Sequence, residues 1–279
     1  MSLPGGINVD GELRRDFCFR PVTGELELFL GESAQQANSH PERVTVLLSQ
    51  ALDTIGGVSA SMEVVRRLSV GDRQFLMSQL ATHIDNQLVW VTTHCAVCEE
   101  SFDVSYRQSD LPVKKASKDF PQAVVNTSLG DVTVRVPTGA DQELVAAAGD
   151  DAKALRVLLK CIVVDAPSDV DQLNTEDITA IEKRVEAMAP EIATELLARC
   201  PNCHAENTLE LNPYTSLQHW SDKLFTEVHT IASQYHWSEQ EILALRRDRR
   251  QNYLRLIDQG RGMQDRVDKF QTLVQETWD

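Results

Sequence analysis

The chain has 279 residues, 42% of them hydrophobic and 25% charged, a balance that supports one large core or two smaller ones and excludes wholesale disorder. A formal net charge of -15 repels phosphate backbones over most of the surface, so nucleic acid is a poor default partner. Met-Ser-Leu-Pro-Gly-Gly at the start lacks the basic and apolar stretches of a secretory signal, and runs such as Ile162-Val163-Val164 are far too short to cross a bilayer, so the chain reads as a soluble protein made in the cytoplasm that leaves it only within a larger assembly.

Residues 1–40 read as mostly irregular. Phe17-Cys18-Phe19 suggests a short strand, and Leu26 to Leu30 a strand or a short helix, on either side of a Pro-Val-Thr-Gly turn. Residues 42–54 carry an apolar stripe at helical spacing that Gly56-Gly57 ends. A second helix is expected over 71–84, with Phe75, Leu76, Leu80 and Ile84 on one face and Asp72 in the first turn, where the helix dipole favours an anion.

The pattern then changes period. Leu88 to Thr93 is β-branched and aromatic, and Ser101 to Tyr106 alternates polar with apolar, as does Asp131 to Val136. Helices are expected next. Thr138 to Asp141 reads as a capping box for a helix through Ala148, residues 151–162 continue helical, and Ile178, Ile181, Val185 and Met188 mark a further helix interrupted at Pro190. Residues 191–199 read as a short helix and Thr208 to Leu211 as a strand. Trp220, Leu224, Val228, Ile231 and Tyr235 share a helical face, and Ser238 with Glu241 begins a new helix that carries Ile242, Tyr253 and Ile257. Residues 262–279 could add an amphipathic helix. Beyond two Cys-x-x-Cys turns, no internal repeat is visible in the letters.

Six cysteines are present. Four form the pairs Cys95/Cys98 and Cys200/Cys203, a spacing that suits tetrahedral thiolate coordination of one structural zinc ion in a reduced compartment. Ordinary zinc ribbons separate their pairs by about 15–20 residues. Here 101 residues lie between Cys98 and Cys200, so the metal would clip distant segments around an inserted subdomain. The bland alternative is four cysteines with no metal. His94 and His204 adjoin the pairs and are possible ligands, although four thiolates already close the shell and leave no open position for catalysis. Cys18 and Cys161 read as core residues.

The organisation expected is an α+β protein, mainly helical, with a small antiparallel zinc-ribbon-like element made by the two distant knuckles. Its parts would be an N-terminal segment over 1–86, the ribbon part over 87–136 and 196–212, a helical insertion over 137–195 and a helical region over 213–279.

No metalloprotease helix, phosphate-binding loop or nucleophile elbow is present, so an enzyme is not expected. Residues 241–270 hold eight Arg or Lys against five Asp or Glu, against the acidic average. Arg246, Arg247, Arg249 and Arg250 crowd together there. They form a solvated helical face or a surface for partner carboxylates, joined by Trp220, His229, His236 and Trp237. A nucleic-acid-binding regulator using the same arginines is the alternative.

Several segments carry a resemblance. They are Arg20-Pro21-Val22-Thr23-Gly24-Glu25, Val70 to Leu76, Val136 to Glu143, and Glu227 through Leu243 with Arg249-Arg250 and Tyr253-Leu254 after it. Their order and spacing resemble the baseplate-type proteins encoded with phage-like contractile injection systems and, more distantly, the baseplate hub assembly proteins of T-even phages. The resemblance spans roughly residues 5–258. It implies a non-enzymatic role, assisting assembly of a contractile tail as a chaperone or forming part of its baseplate. The implied partners are other baseplate, hub or spike proteins. Members of the family carry a proline after the Glu-Ile-Leu-Ala-Leu stretch, where this chain has Arg246, so a softer break between the last two helices is expected.

Overall fold

The computed structural model describes residues 1–36, 39–86, 88–211 and 220–260. Along the chain the elements are strands β1 (Ser2–Val9) and β2 (Glu12–Phe19), helices α1 (Gly24–Gln36) and α2 (His40–Ala51), strands β3 (Leu52–Ile55) and β4 (Val58–Ser59), and helices α3 (Met62–Arg66) and α4 (Val70–Ile84). Strands β5 (Val89–His94), β6 (Ser101–Tyr106), β7 (Val113–Lys114), β8 (Gln122–Thr127) and β9 (Gly130–Arg135) follow. Next come α5 (Gly139–Ala146), α6 (Asp151–Ile162), β10 (Val163–Asp165), α7 (Thr175–Met188), β11 (Glu191–Ile192), β12 (Glu195–Arg199) and β13 (Glu206–Glu210). The last helices are α8 (Trp220–Tyr235), α9 (Glu239–Leu243) and α10 (Arg247–Gly260).

The class is α+β, but the expectation of a mainly helical chain fails, because helix accounts for 47% and strand for 28%, in several small antiparallel sheets. The helix expected over 42–54 ends at Ala51, and Leu52–Ile55 is β3; two larger misreadings account for much of the remaining shortfall in strand. Residues 1–20 are a hairpin, with a turn through Asp10 and Gly11 at φ 54 and 84. Residues 191–199 are β11 and β12, because each finds an antiparallel partner, β7 and β13. A short apolar run carries no period decisive enough to separate helix from strand, and a pairing partner settles it.

The chain divides into two compact units, Met1–Arg20 with Ser33–Ser216, and Pro21–Glu32 with Leu217–Asp279. In the first, β1 to β4 form a four-stranded sheet in that order. Helix α4 is capped by Ser69, whose hydroxyl accepts from the Asp72 N–H at 3.1 Å. Asp72 in turn accepts from the Gly5 and Gly6 N–H groups at 2.8 and 3.1 Å, which seats β1 on the start of α4. Gly71 lies against the Pro190 carbonyl so closely that a Cβ there would collide with it. Strands β8 to β10 place Val125, Val132 and Val134 against Leu159, Ile162, Ile181 and Met188 of α6 and α7.

The second unit is built from α1, α8, α9 and α10. Leu224, Val228, Ile231, Ile242, Leu243 and Ile257 form its core, with Leu28, Tyr253 and Trp237 packed on it. The capping box of Ser238 and Glu241 is present, with the Ser238 hydroxyl and N–H donating to Glu241 Oε2 at 2.7 and 2.8 Å. Helices α9 and α10 are distinct, so the chain breaks here without a proline. The expected helix over 262–279 falls outside the described residues.

Candidate metal centre

The two knuckles are equivalent turns. Strand β5 delivers Cys95 and β12 delivers Cys200, and each returns through β6 or β13. In the first, the Cys95 N–H bonds the Glu100 carbonyl and the Glu99 N–H bonds the Cys95 carbonyl, both at 2.9 Å. In the second, the Cys200 N–H bonds the Ala205 carbonyl at 2.9 Å and the His204 N–H bonds the Cys200 carbonyl at 3.0 Å. Glu99 and His204, four residues after the leading cysteine of each turn, sit in the left-handed region at φ 60 and 61. Such values are uncommon for residues with a side chain, and the tight turn imposes them.

The turns bring together four sulfurs that all lie within 4.8 Å of one another. Cys95 Sγ is 3.5 Å from Cys203 Sγ, and Cys98 Sγ is 3.7 Å from Cys200 Sγ. Four thiolates around one zinc at about 2.3 Å would be about 3.8 Å apart, so the donor set and its spacing fit that ion. No disulfide links them. The ligand cluster contains these thiols alone, and His94 and His204 are not part of it.

The backbone also points donors at sulfur. N–H groups of Cys98 and Val97 hold the Cys95 thiol down, at about 6. At Cys203 the Ala205 N–H acts in the same direction, but the Cys95 thiol, burial and the neighbouring thiols outweigh it and push the value up to about 12. A cation bound among the four sulfurs would favour the thiolate form of each.

Spacing alone did not reveal Asn207. It is buried, accepts from the Ala96 N–H at 2.9 Å, donates to the Ala205 carbonyl at 2.9 Å and points Nδ2 at Cys95 Sγ at 3.7 Å. One side chain thereby ties the first knuckle to the second. The equivalent register position after the first knuckle holds Phe102, which packs on Cys95 and Cys200.

The other singled-out residues scatter. Cys18 is exposed, not core, because the alternation of β2 turns Phe17 and Phe19 inward and Cys18 out, and Cys161 is only half-buried. His229, His236, Arg246 and Arg249 are exposed. Trp237 is half-buried, with ring centroids 5.2 Å from Tyr235 and 4.9 Å from Tyr253. The side chain of Trp220 lies outside the described residues. Arg250 does not reach the surface at all. It is 0% exposed and donates to Glu27 at 2.8 Å, Glu227 at 3.2 Å and the Leu245 carbonyl at 2.9 Å. Arg247 is half-buried and also reaches Glu27, at 3.2 Å. Both glutamates were missed because an acidic residue on a helix ordinarily faces water.

Among the described residues no helix is long and apolar enough to cross a membrane, and two remote knuckles are drawn into a single thiol centre. Residues 15–217 match the family described as T4 bacteriophage base plate protein, and the chain belongs to that family. No curated protein and no solved structure matches it.

Proposed function

We propose that this chain is a non-enzymatic structural or assembly protein of the baseplate of a contractile, tail-like injection apparatus, stiffened by one zinc ion on Cys95, Cys98, Cys200 and Cys203. The family match over residues 15–217 carries the baseplate role. Convergence of four sulfurs within 4.8 Å supports the metal. Zinc with four thiolates supplies no open coordination position, so its work is to cross-link the two hairpins and stabilise the first unit. The exposed residues of the second unit, His229, His236, Arg246 and Arg249, offer the surface for other baseplate, hub or spike proteins. The nucleic-acid alternative loses support, because Arg250 is sequestered and Arg247 is tied to Glu27.

The test is assembly. Particles purified from cells carrying an epitope-tagged chain, and from cells lacking it, should show either the tagged chain in the baseplate or loss of baseplates on its removal. Normal particles without the chain, and no tagged chain bound to any tail component, would overturn the proposal.

A further inference from the structure

The two units contain the same helical device, which the residue letters conceal. In the first unit it is the short helix α3, the long helix α4 and the Thr-Gly start of α5. In the second it is α9, α10 and the Thr-Gly start of α1. Ser61 caps α3 and Ser238 caps α9, and each of these helices has five residues. Leu68 matches Leu245, Arg73 matches Arg250 and Gln74 matches Gln251, all at the same separation in sequence. Ser69 bridges Thr138 in antiparallel fashion, and Arg246 bridges Thr23 likewise.

Two main-chain hydrogen bonds repeat at matching positions. The Val70 N–H donates to the Pro137 carbonyl at 3.0 Å, and the Arg247 N–H to the Val22 carbonyl at 2.8 Å. The Gly139 N–H donates to the Leu68 carbonyl at 3.0 Å, and the Gly24 N–H to the Leu245 carbonyl at 3.3 Å. Among the described residues, Arg73 and Arg250 are the two arginines with fully buried side chains. Each donates to a side chain on the preceding long helix, Thr45 or Glu227, and to a main-chain carbonyl near the short helix, that of Val65 or Leu245. Matching caps, bridges and buried cations make this one arrangement used twice. Its Thr-Gly helix comes last in the first unit and first in the second.

The copies differ on one face. On α4, Gly71, Asp72 and Ser78 are buried. Asp72 holds the extended strand β1 through the Gly5 and Gly6 amides, and the Ser78 hydroxyl donates to Gln108 at 3.3 Å. The same positions on α10 are Asp248, Arg249 and Arg255, all exposed, with Asn252 between them and Leu256 52% exposed. We propose that this face of α10 docks an extended acidic segment of a partner protein, in the place that β1 and the turn at Gln108 take on α4.

The chemistry selects the occupant. Asp72 accepts backbone N–H groups. Arg249 stands at its position, so the complementary group there must be an acceptor, and the neighbouring Asp248 carboxylate is paired with Arg246 at 3.3 Å. Arg255 and Asn252 add further donors, linked at 3.1 Å. Carboxylates on an extended chain satisfy that array, and arginine forks receive them bidentately. A second copy of this chain is disfavoured by its own net charge of -15. The inference deepens the baseplate reading, from which the partner's identity as a neighbouring tail protein follows.

The probe is a fluorescein-labelled decapeptide of alternating Glu and Val, titrated into the full chain at about 20 mM salt, where screening is weak. Saturable binding is expected. It should weaken about tenfold or more in Arg249→Glu/Arg255→Glu, and by a similar factor when Gln replaces Glu in the peptide. Arg199→Glu, an exposed change on β12, should bind as wild type. Both arginines of the double variant are exposed, so an unchanged melting temperature will show that it folds. Absence of saturable binding, equal binding by the double variant or the neutral peptide, or equal loss in Arg199→Glu would overturn the inference. So would sedimentation showing that the face is covered by a second copy. Normal entry of the double variant into particles also sinks it while leaving the baseplate reading intact, whereas absence of the wild-type chain from particles sinks the baseplate reading instead.

Discussion

The guanidinium of Arg73 occupies the space that a side chain at Gly139 would need. Its Nη1, carbon and Nε all crowd the place of a Cβ there, while the same guanidinium donates to Thr45 and to the Pro41 carbonyl at 2.9 and 2.7 Å. Two of the segments that carry the family resemblance therefore meet at one buried cation. The glycine is needed for close approach, not for its backbone angles.

Gly139→Ala should destabilise the first unit by about 1–3 kcal/mol, because an overpacked site forces the arginine to move. Gly71→Ala should do at least as much, since its obstacle is the main chain of Pro190, which cannot swing aside. Urea denaturation of each variant beside Gly149→Ala would measure this. A Cβ at Gly149 meets no atom within 4 Å, although φ there is 82, so that variant reports backbone strain alone. A loss at Gly139 or Gly71 no greater than at Gly149 would count against the steric account.

Purified protein should contain about one zinc per chain, and Cys203→Ser should lose both the metal and about 4 kcal/mol or more of stability, the range that follows loss of a metal site. Asn207→Ala should weaken the site less, by about 10–100-fold in metal affinity, as removal of an outer partner of a ligand does. Elemental analysis and a competitive chelator titration read both. Full stability after exhaustive chelation would contradict a structural metal.

In the second unit, Arg250→Met should cost about 3–5 kcal/mol, since it strands the buried carboxylates of Glu27 and Glu227. Adding Glu27→Gln and Glu227→Gln should recover part of that loss by removing the uncompensated charge. If the triple variant is no more stable than Arg250→Met, volume and not charge governs the site.

Two aspartates at helix starts should respond to pH with opposite sign. At Asp72 burial raises the pKa above 3.8, against the opposing bonds from Ser69, Gly5 and Gly6. At Asp141 burial is outweighed by Arg135 and Thr138, and the pKa falls below 3.8. A raised acid favours the fold most when protonated, so Asp72 loses stabilisation as pH rises through its folded pKa. A lowered acid stabilises when ionised, so Asp141 loses stabilisation as pH falls from 3.8 through its folded pKa. The penalty of Asp141→Asn should thus shrink as pH falls below 3.8, while that of Asp72→Asn shrinks as pH rises above 3.8. Denaturation midpoints of variant and wild type at each pH give these differences, and thiol contributions cancel between them. Parallel slopes would refute the assignment.

What could be read from the letters was what a few neighbouring residues decide. The capping boxes at Thr138 and Ser238 lie within one helical turn, so α5 and α9 begin where their caps predict. The alternation of Ser101 to Tyr106 and the two-residue gap inside each cysteine pair are local in the same way. Tertiary structure decided everything that needs a distant partner. Residues 195–199 become strand because 206–210 pair with them, and Arg250 turns inward because Glu27 and Glu227 come from remote parts of the chain to neutralise it. The repeated device escaped notice for the same reason. Its sameness lies in which main-chain groups bond across the helix starts, a relation that tolerates Arg246 in place of Ser69 and Asp248 in place of Gly71, and that only the folded chain displays.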